Sequence, residues 1–228
     1  MRVAEIFHSI QGEGLLAGVP SAFVRASGCN LRCVWCDTPY ASWAPEGPVV
    51  SVAQIVERIA AYPTRHVVLT GGEPMIMADA GELTRRLRAG GYHITIETAG
   101  TVWAEVVCDL ASVSPKLANS TPVDRDGGRF AEGHERKRIN VEVVRRFMER
   151  FDYQLKFVVT EPGDLAEIDE LVGRIGDVRP DRVLLMPEGV DRESLDAKAG
   201  WVADICKDRG FRYCPRLHIM MYGNVRGT

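Results

Sequence analysis

No stretch of the 228 residues holds about 18 uninterrupted apolar positions, so nothing in the chain reads as a transmembrane helix. The opening residues, MRVAEIFHSI, lack the positive-then-apolar layout of a secretory signal, and a cytoplasmic protein with no membrane partner is expected. Nor does one sign of charge dominate. Lys and Arg number 28 against 31 Asp and Glu, and a formal charge of −3 gives no footing for direct nucleic-acid binding. Internal repeats, low-complexity tracts and a dividing linker are also missing, which leaves a single domain over 1–228. A hydrophobic share of 46% is ordinary for a globular chain of a size that buries one sizeable core.

Against that background the six cysteines are unusual. Cys29, Cys33 and Cys36 crowd into eight residues, whereas Cys108, Cys206 and Cys214 are scattered and read as small buried hydrophobes. In a reducing compartment, clustered thiols bind metals or act in catalysis more often than they form disulfides.

Short apolar runs alternate with helix-period segments. Ser21–Arg25, His66–Thr70, His93–Thr98, Val107–Ser114, Gln154–Val159 and Val183–Met186 read as strands. Between them, helical spacing runs from Val52 to Ile59 with Ser51 as N-cap, and around Leu83 and Leu87 up to a left-handed glycine cap at Gly90-Gly91. It returns over 140–150, 164–175 and 193–209. The polar stretch 118–138 reads as a long loop, and the chain from Cys214 to Thr228 as an irregular tail. Such alternation predicts an α/β fold with a parallel sheet of about six strands, either doubly wound or a partial barrel. Both place the segments after the strands on one rim, where ligands bind. The cysteine loop, Gly71-Gly72-Glu73-Pro74, Glu97-Thr98-Ala99-Gly100, Ser114-Pro115-Lys116 and Met186-Pro187-Glu188-Gly189 all follow strands.

C-x3-C-x2-C lets one loop present three thiolates to one compact centre. Structural zinc normally takes four protein ligands, and no fourth lies nearby, though a distant cysteine or histidine could fold back. A [4Fe–4S] cluster on three cysteines instead leaves one iron open. A zinc-binding interaction module therefore stands as an alternative at this point.

The cysteine spacing, Trp35 before the last cysteine, and Gly71-Gly72-Glu73-Pro74 downstream resemble the radical S-adenosylmethionine enzymes. Gln11-Gly12-Glu13-Gly14, Arg25, Cys36-Asp37-Thr38, Ser114-Pro115-Lys116 and the closing Pro215-Arg216-Leu217-His218 narrow the resemblance to the 7-carboxy-7-deazaguanine synthase family. That resemblance implies a partial (β/α)6 barrel and the radical ring contraction of 6-carboxy-5,6,7,8-tetrahydropterin, with loss of ammonia, on the route to queuosine-type 7-deazapurines. It implies a [4Fe–4S] cluster on Cys29, Cys33 and Cys36, S-adenosylmethionine, and Mg2+ at Thr38. Substrate contacts would come from Ile10, Gln11, Gly12, Glu13, Arg25, Thr70, His218 and Thr228. The cofactor would meet Gly72, Glu73, Glu97, Ser114, Pro115, Lys116, Met186, Pro187, Glu188 and Gly189. No protein residue would be catalytic in itself, because the radical comes from the cofactor. A flavodoxin or ferredoxin as electron donor and a homodimer are further implications. A radical activase acting on a partner enzyme shares the small size and the three cysteines, but has no use for a pterin-reading Gln-Gly-Glu-Gly. Ala99 and Met186 depart from the family pattern, which commonly has asparagine and often glutamine there.

Overall fold

Apolar residues at every second position along the strands decide the architecture. In the computed structural model, which describes residues 1–228, the chain runs β1 (Val3–Ile10), β2 (Pro20–Ala26), α1 (Pro39–Ser42), α2 (Val52–Ala60), β3 (His66–Gly71), α3 (Ala80–Ala89), β4 (His93–Thr98) and β5 (Leu110–Val113). It continues through α4 (Ala131–Glu135), α5 (Val141–Arg150), β6 (Asp152–Val159), α6 (Asp164–Ile175), β7 (Val183–Pro187), α7 (Arg192–Arg209), β8 (Arg212–Tyr213) and α8 (Leu217–Tyr222). The strands form one open sheet in sequential order; β1 pairs antiparallel with β2, and every later pair is parallel. Strands β2 to β7 are the six of a partial (β/α)6 barrel, and the sheet does not close.

One face of this sheet carries the main core. Ala22, Val24, Val67, Leu69, Ile94, Ile96, Val113, Leu155, Phe157 and Leu185 pack there with Ile55, Leu83, Phe147, Ile168 and Val202 from the helices. Each such fully buried side chain contributes about 1.5–3 kcal/mol relative to exposure. Residues one position out of phase form the other face, and their identity differs. Arg25 pairs in register with Thr70, Glu97 with Ser112, and Ser112 in turn with Gln154, so a polar row crosses the sheet.

Helix ends follow local chemistry. Ser51 and Gln54 form a reciprocal capping box at the start of α2, and Asn140 accepts from the Val143 amide at the start of α5. Gly91, with φ +74°, takes the left-handed position after α3, whereas Gly90 keeps a negative φ.

Several expectations need correction. The antiparallel β1 was not anticipated, because its polar residues break the apolar run; it joins the sheet through β2 alone. The strand expected over Val107–Ser114 forms only at Leu110–Val113. The stretch 118–138 is not a bare loop: it contains two 3-10 turns and α4. The tail is likewise not wholly irregular, since α8 folds within it and Ile219 is buried. No helix is long and apolar enough to cross a membrane.

Candidate active site

A cavity of about 450 Å3 opens at the carboxyl ends of the parallel strands, over the polar row. Cys29, Cys33 and Cys36 line one wall, on the loop that leaves β2. Burial pushes the Cys29 thiol up to about 11 and the Cys33 thiol up to about 12. Neither is in a disulfide, nor is Cys36, whose Sγ lies 3.1 Å from Ser42 Oγ. Thr38 also lines the cavity, with Oγ1 3.8 Å from Cys36 Sγ. Below them Gly71 and Gly72 allow a close backbone approach: a Cβ on Gly72 would strike the carbonyls of Gly28 and Ala41.

The opposite wall is built around a buried acid. Glu13 pairs with Lys156 through Oε2 and with Arg216 through Oε1, the latter at 3.1 Å. Burial alone would raise the Glu13 carboxyl, but the two cations overcome it and hold it well below the usual carboxylate range. Lys156 and Arg216 are in turn held charged against burial, chiefly by Glu13. Arg216 reaches further, donating to the Gly189 carbonyl and pairing with Asp37 beside the cysteine loop. One guanidinium thus ties together Gln11–Gly14, Cys36–Thr38, the turn after β7 and the tail.

Gln11 donates from Nε2 to Glu97 (3.0 Å), whose other oxygen accepts from the Thr70 hydroxyl at 2.7 Å. Arg25 donates from Nε to Glu5 at 2.6 Å, and that carboxylate also accepts from the Tyr40 hydroxyl at 2.6 Å. Glu5 therefore orients Arg25 through Nε and leaves its Nη groups for another anion. His218 sits over Gly12, where a Cβ would overlap its imidazole, and the Leu217 amide donates to the Gly12 carbonyl at 2.9 Å. Arg226 stacks on Tyr40 at 3.8 Å, and Thr228 reaches the same cavity, so the tail lies over its mouth.

Of the residues singled out in the sequence, Ile10, Gln11, Gly12, Glu13, Arg25, Thr70, His218 and Thr228 all line this cavity. So do the three clustered cysteines, Thr38, Gly72, Glu97, Ser114, Lys116 and Met186. Glu73 does not. Its side chain is fully buried, accepting from Thr98 Oγ1 (2.7 Å) and from the amides of Met75 (3.0 Å) and Ala99 (2.9 Å). Its carboxylate braces the loops after β3 and β4, because three donors converge on it inside the protein. Pro115, Pro187, Glu188 and Gly189 also fall outside the lining; Glu188 pairs with Lys198, and Gly189 serves Arg216. Sequence reading missed Lys156 and Glu5, and gave no role to Asp37 and Arg216. Lys156 left a signal, a lysine two residues from Gln154 in an otherwise apolar strand. Asp37 and Arg216 stood inside motifs noted in the sequence, but the pairing of Arg216 with Glu13 had no signal until the fold set the tail against that acid.

Residues 23–120 match the Radical SAM superfamily model. The chain is 45% identical to the 7-carboxy-7-deazaguanine synthase of Rhodopirellula baltica over 99% of its length and 88% of that relative's. It is 46% identical to the enzyme of the same name from Halobacterium salinarum, covering 99% of this chain and 92% of the relative. The chain belongs to the 7-carboxy-7-deazaguanine synthase family. The crystal structure of QueE from Escherichia coli superposes with a TM-score of 0.69 at 27% identity, covering 95% of this chain and 94% of the other. These relatives favour neither the activase nor the zinc module.

Membership in the radical S-adenosylmethionine superfamily implies a [4Fe–4S] cluster and S-adenosylmethionine as cofactors. The donor set fits. Three unpaired thiols share one wall, and the remaining cysteines are committed elsewhere: Cys108 and Cys206 lie in the main core, while Cys214 accepts from the Gly14 amide at 3.1 Å. Three soft ligands without a fourth match a cluster with one open iron better than a closed zinc site.

Proposed function

We propose that the chain converts 6-carboxy-5,6,7,8-tetrahydropterin to 7-carboxy-7-deazaguanine, releasing ammonia, in 7-deazapurine biosynthesis. One observation carries the reading: a single cavity has three free thiols at one wall and a buried, doubly paired carboxylate at the other. When bound, the cluster and S-adenosylmethionine supply the one-electron chemistry that removes a hydrogen atom from the substrate.

The chain's own residues bind, orient and shield. A pterin edge presents an amino group and a ring N–H, both donors, and an ionised Glu13 is an acceptor for them. Lys156 and Arg216 keep that acceptor charged and fixed, so it needs no reorganisation when substrate arrives. Arg25, oriented by Glu5, offers its Nη groups to the substrate carboxylate as a bidentate partner. Gln11, Thr70 and Glu97 form a bonded set across the cavity floor that accommodates mixed donors and acceptors. Thr38 provides a hydroxyl suited to Mg2+, a hard ion that would also bind substrate oxygen and water. Gly72, Glu97, Ser114, Lys116 and Met186 form the surface offered to S-adenosylmethionine. His218 and Thr228, brought in by the tail, close the pocket against water. A small flavodoxin- or ferredoxin-type donor delivers the electron, and the chain works as a cytoplasmic homodimer.

The test is anaerobic reconstitution with iron and sulfide, then turnover with S-adenosylmethionine and carboxytetrahydropterin, with and without Mg2+. The expected result is deazaguanine product, increased by Mg2+. Cluster formation and cofactor cleavage without product would overturn the substrate assignment.

A further inference from the structure

The segment 118–138 folds back onto the cysteine loop and bonds its middle residues, while Arg32 Nη1 ties the loop to itself at the Cys29 and Leu31 carbonyls and Trp43 Nε1 donates to the Cys33 carbonyl. The Val34 amide donates to the Ser120 carbonyl at 2.8 Å, and Arg125 Nη1 donates to the Val34 carbonyl at 2.8 Å. Trp35 Nε1 donates to the Asn119 carbonyl at 3.1 Å. The Arg32 amide, between Cys29 and Cys33, donates to His134 Nδ1 at 3.1 Å. These contacts fall on Arg32–Trp35, on both sides of Cys33. Within the loop, the only backbone-to-backbone bond is a long one, from the Cys36 amide to the Cys33 carbonyl at 3.3 Å.

His134 is buried, 2% exposed, beside the fully buried Ser120. Accepting at Nδ1 requires its proton on Nε2, which then donates to Ser120 Oγ at 2.9 Å; the Ser120 hydroxyl donates onward to the Leu117 carbonyl at 2.6 Å. Every member of this relay has one direction open to it. Its far end adjoins Lys116, which lines the cavity and donates to Ser114 Oγ at 2.7 Å. The ring itself does not line the cavity, so it acts through the loop. Burial pushes the imidazole down to about 4, which keeps it in the neutral form the relay needs.

We propose that His134 is a positioning residue for the iron–sulfur site, holding the Arg32 amide and so the relative placement of Cys29 and Cys33. This rests on the assignment of the three cysteines to a cluster, and the experiment separates the two. Amide exchange is read in the cluster-free chain, and iron loss to a chelator is read in the reconstituted chain, for native, His134→Leu, His134→Asn and Ser120→Ala proteins.

His134→Leu should speed exchange at Arg32 and Val34 by about ten-fold or more, the scale of one orphaned buried donor, and leave exchange at Leu185 in β7 unchanged. Iron should leave at a rate raised by a similar factor. His134→Asn, whose Oδ1 can stand near the Nδ1 position, should recover part of the Arg32 protection. Ser120→Ala, which cuts the relay one bond out and removes no volume from the ring site, should give an intermediate loss; it carries the test where the leucine variant does not fold. Native exchange at Arg32 and native iron retention in His134→Leu or, failing that, in Ser120→Ala would overturn the proposal. A native chain that takes up no iron would instead overturn the cluster assignment, while the exchange data would still report on the clamp.

Discussion

Lys156→Met keeps the side chain's length and apolar stem and removes only its ammonium. In the native chain Lys156, Glu13 and Arg216 are 8%, 12% and 6% exposed at their side chains, so solvent does little to screen them. Removing one member of a buried pair costs about 3–5 kcal/mol when the survivor is left uncompensated. Here Arg216 remains on Glu13 Oε1, so roughly 2–3 kcal/mol is expected. In a chain of this size that lowers Tm by roughly 5–10 °C.

The loss should also depend on pH. Native Glu13 is held below its unfolded value near 4.5, so its contribution is full above that value and fades as pH falls. Without Lys156, burial weighs more and the carboxyl rises, so the gap between native and variant should narrow below about pH 4.5. Urea unfolding of the cluster-free chain reads the difference directly. The double variant Glu13→Gln/Lys156→Met carries neither charge and should regain most of the lost stability, yet turn over no substrate, because the ionised acceptor is gone. A single variant as stable as native, or a double variant as unstable as the two singles summed, would refute this account of the site.

Arg25→Ala should raise KM for carboxytetrahydropterin by about 10- to 100-fold, the worth of a charged hydrogen bond, with S-adenosylmethionine binding little changed. Calorimetric titration of each ligand checks the split, and equal loss of both would count against a carboxylate clamp. Cys33→Ala should abolish stable iron loading, whereas Cys206→Ala should load normally and lose about 1–2 kcal/mol of stability from a small cavity; iron analysis and urea unfolding separate the two. His134 has its folded value lowered by burial from 6.5 to about 4, so the unfolded chain binds the extra proton first. Its contribution is full above pH 6.5 and is lost as pH falls toward 4, and a His134→Asn chain should lack that component of the pH–stability profile.

How much of this was legible in the sequence depended on which residues announce themselves locally. The parallel strands were readable because both faces of each are covered or cavity-lining, which gives short, mainly apolar runs such as Val67–Leu69 and Leu184–Leu185. The ligand-facing motifs were readable because they occupy the turns after those strands, where glycine and cysteine are conspicuous. Strand β1 was not, since its polar positions make it resemble a loop until β2 pairs with it. Nor were the partners of the motif residues. Glu13 was visible as a candidate acceptor, but Lys156 lies 143 residues and Arg216 lies 203 residues away, and only the sheet order and the folded tail bring them together. Glu73 is conspicuous in its motif, but that three donors turn its side chain inward is something no spacing rule reveals.

The two departures from the family pattern have different structural weights. At Ala99 the backbone amide still donates to Glu73, so the turn after β4 does not require an asparagine side chain. Met186 is 5% exposed and packs with Val158, Leu184 and Cys214, and Trp35 lies against these four side chains, so its thioether fills apolar space at the cavity wall. Met186→Gln would restore the polar residue but bury an amide there. Without ligand that amide has no evident partner and should cost about 1–3 kcal/mol. If the neighbouring surface holds S-adenosylmethionine, the ligand can satisfy the amide, and the variant should regain part of that loss on binding. Urea unfolding with and without S-adenosylmethionine measures both quantities. A Met186→Gln chain that is as stable as native without ligand, or gains no more than native from it, would remove Met186 from the cofactor surface.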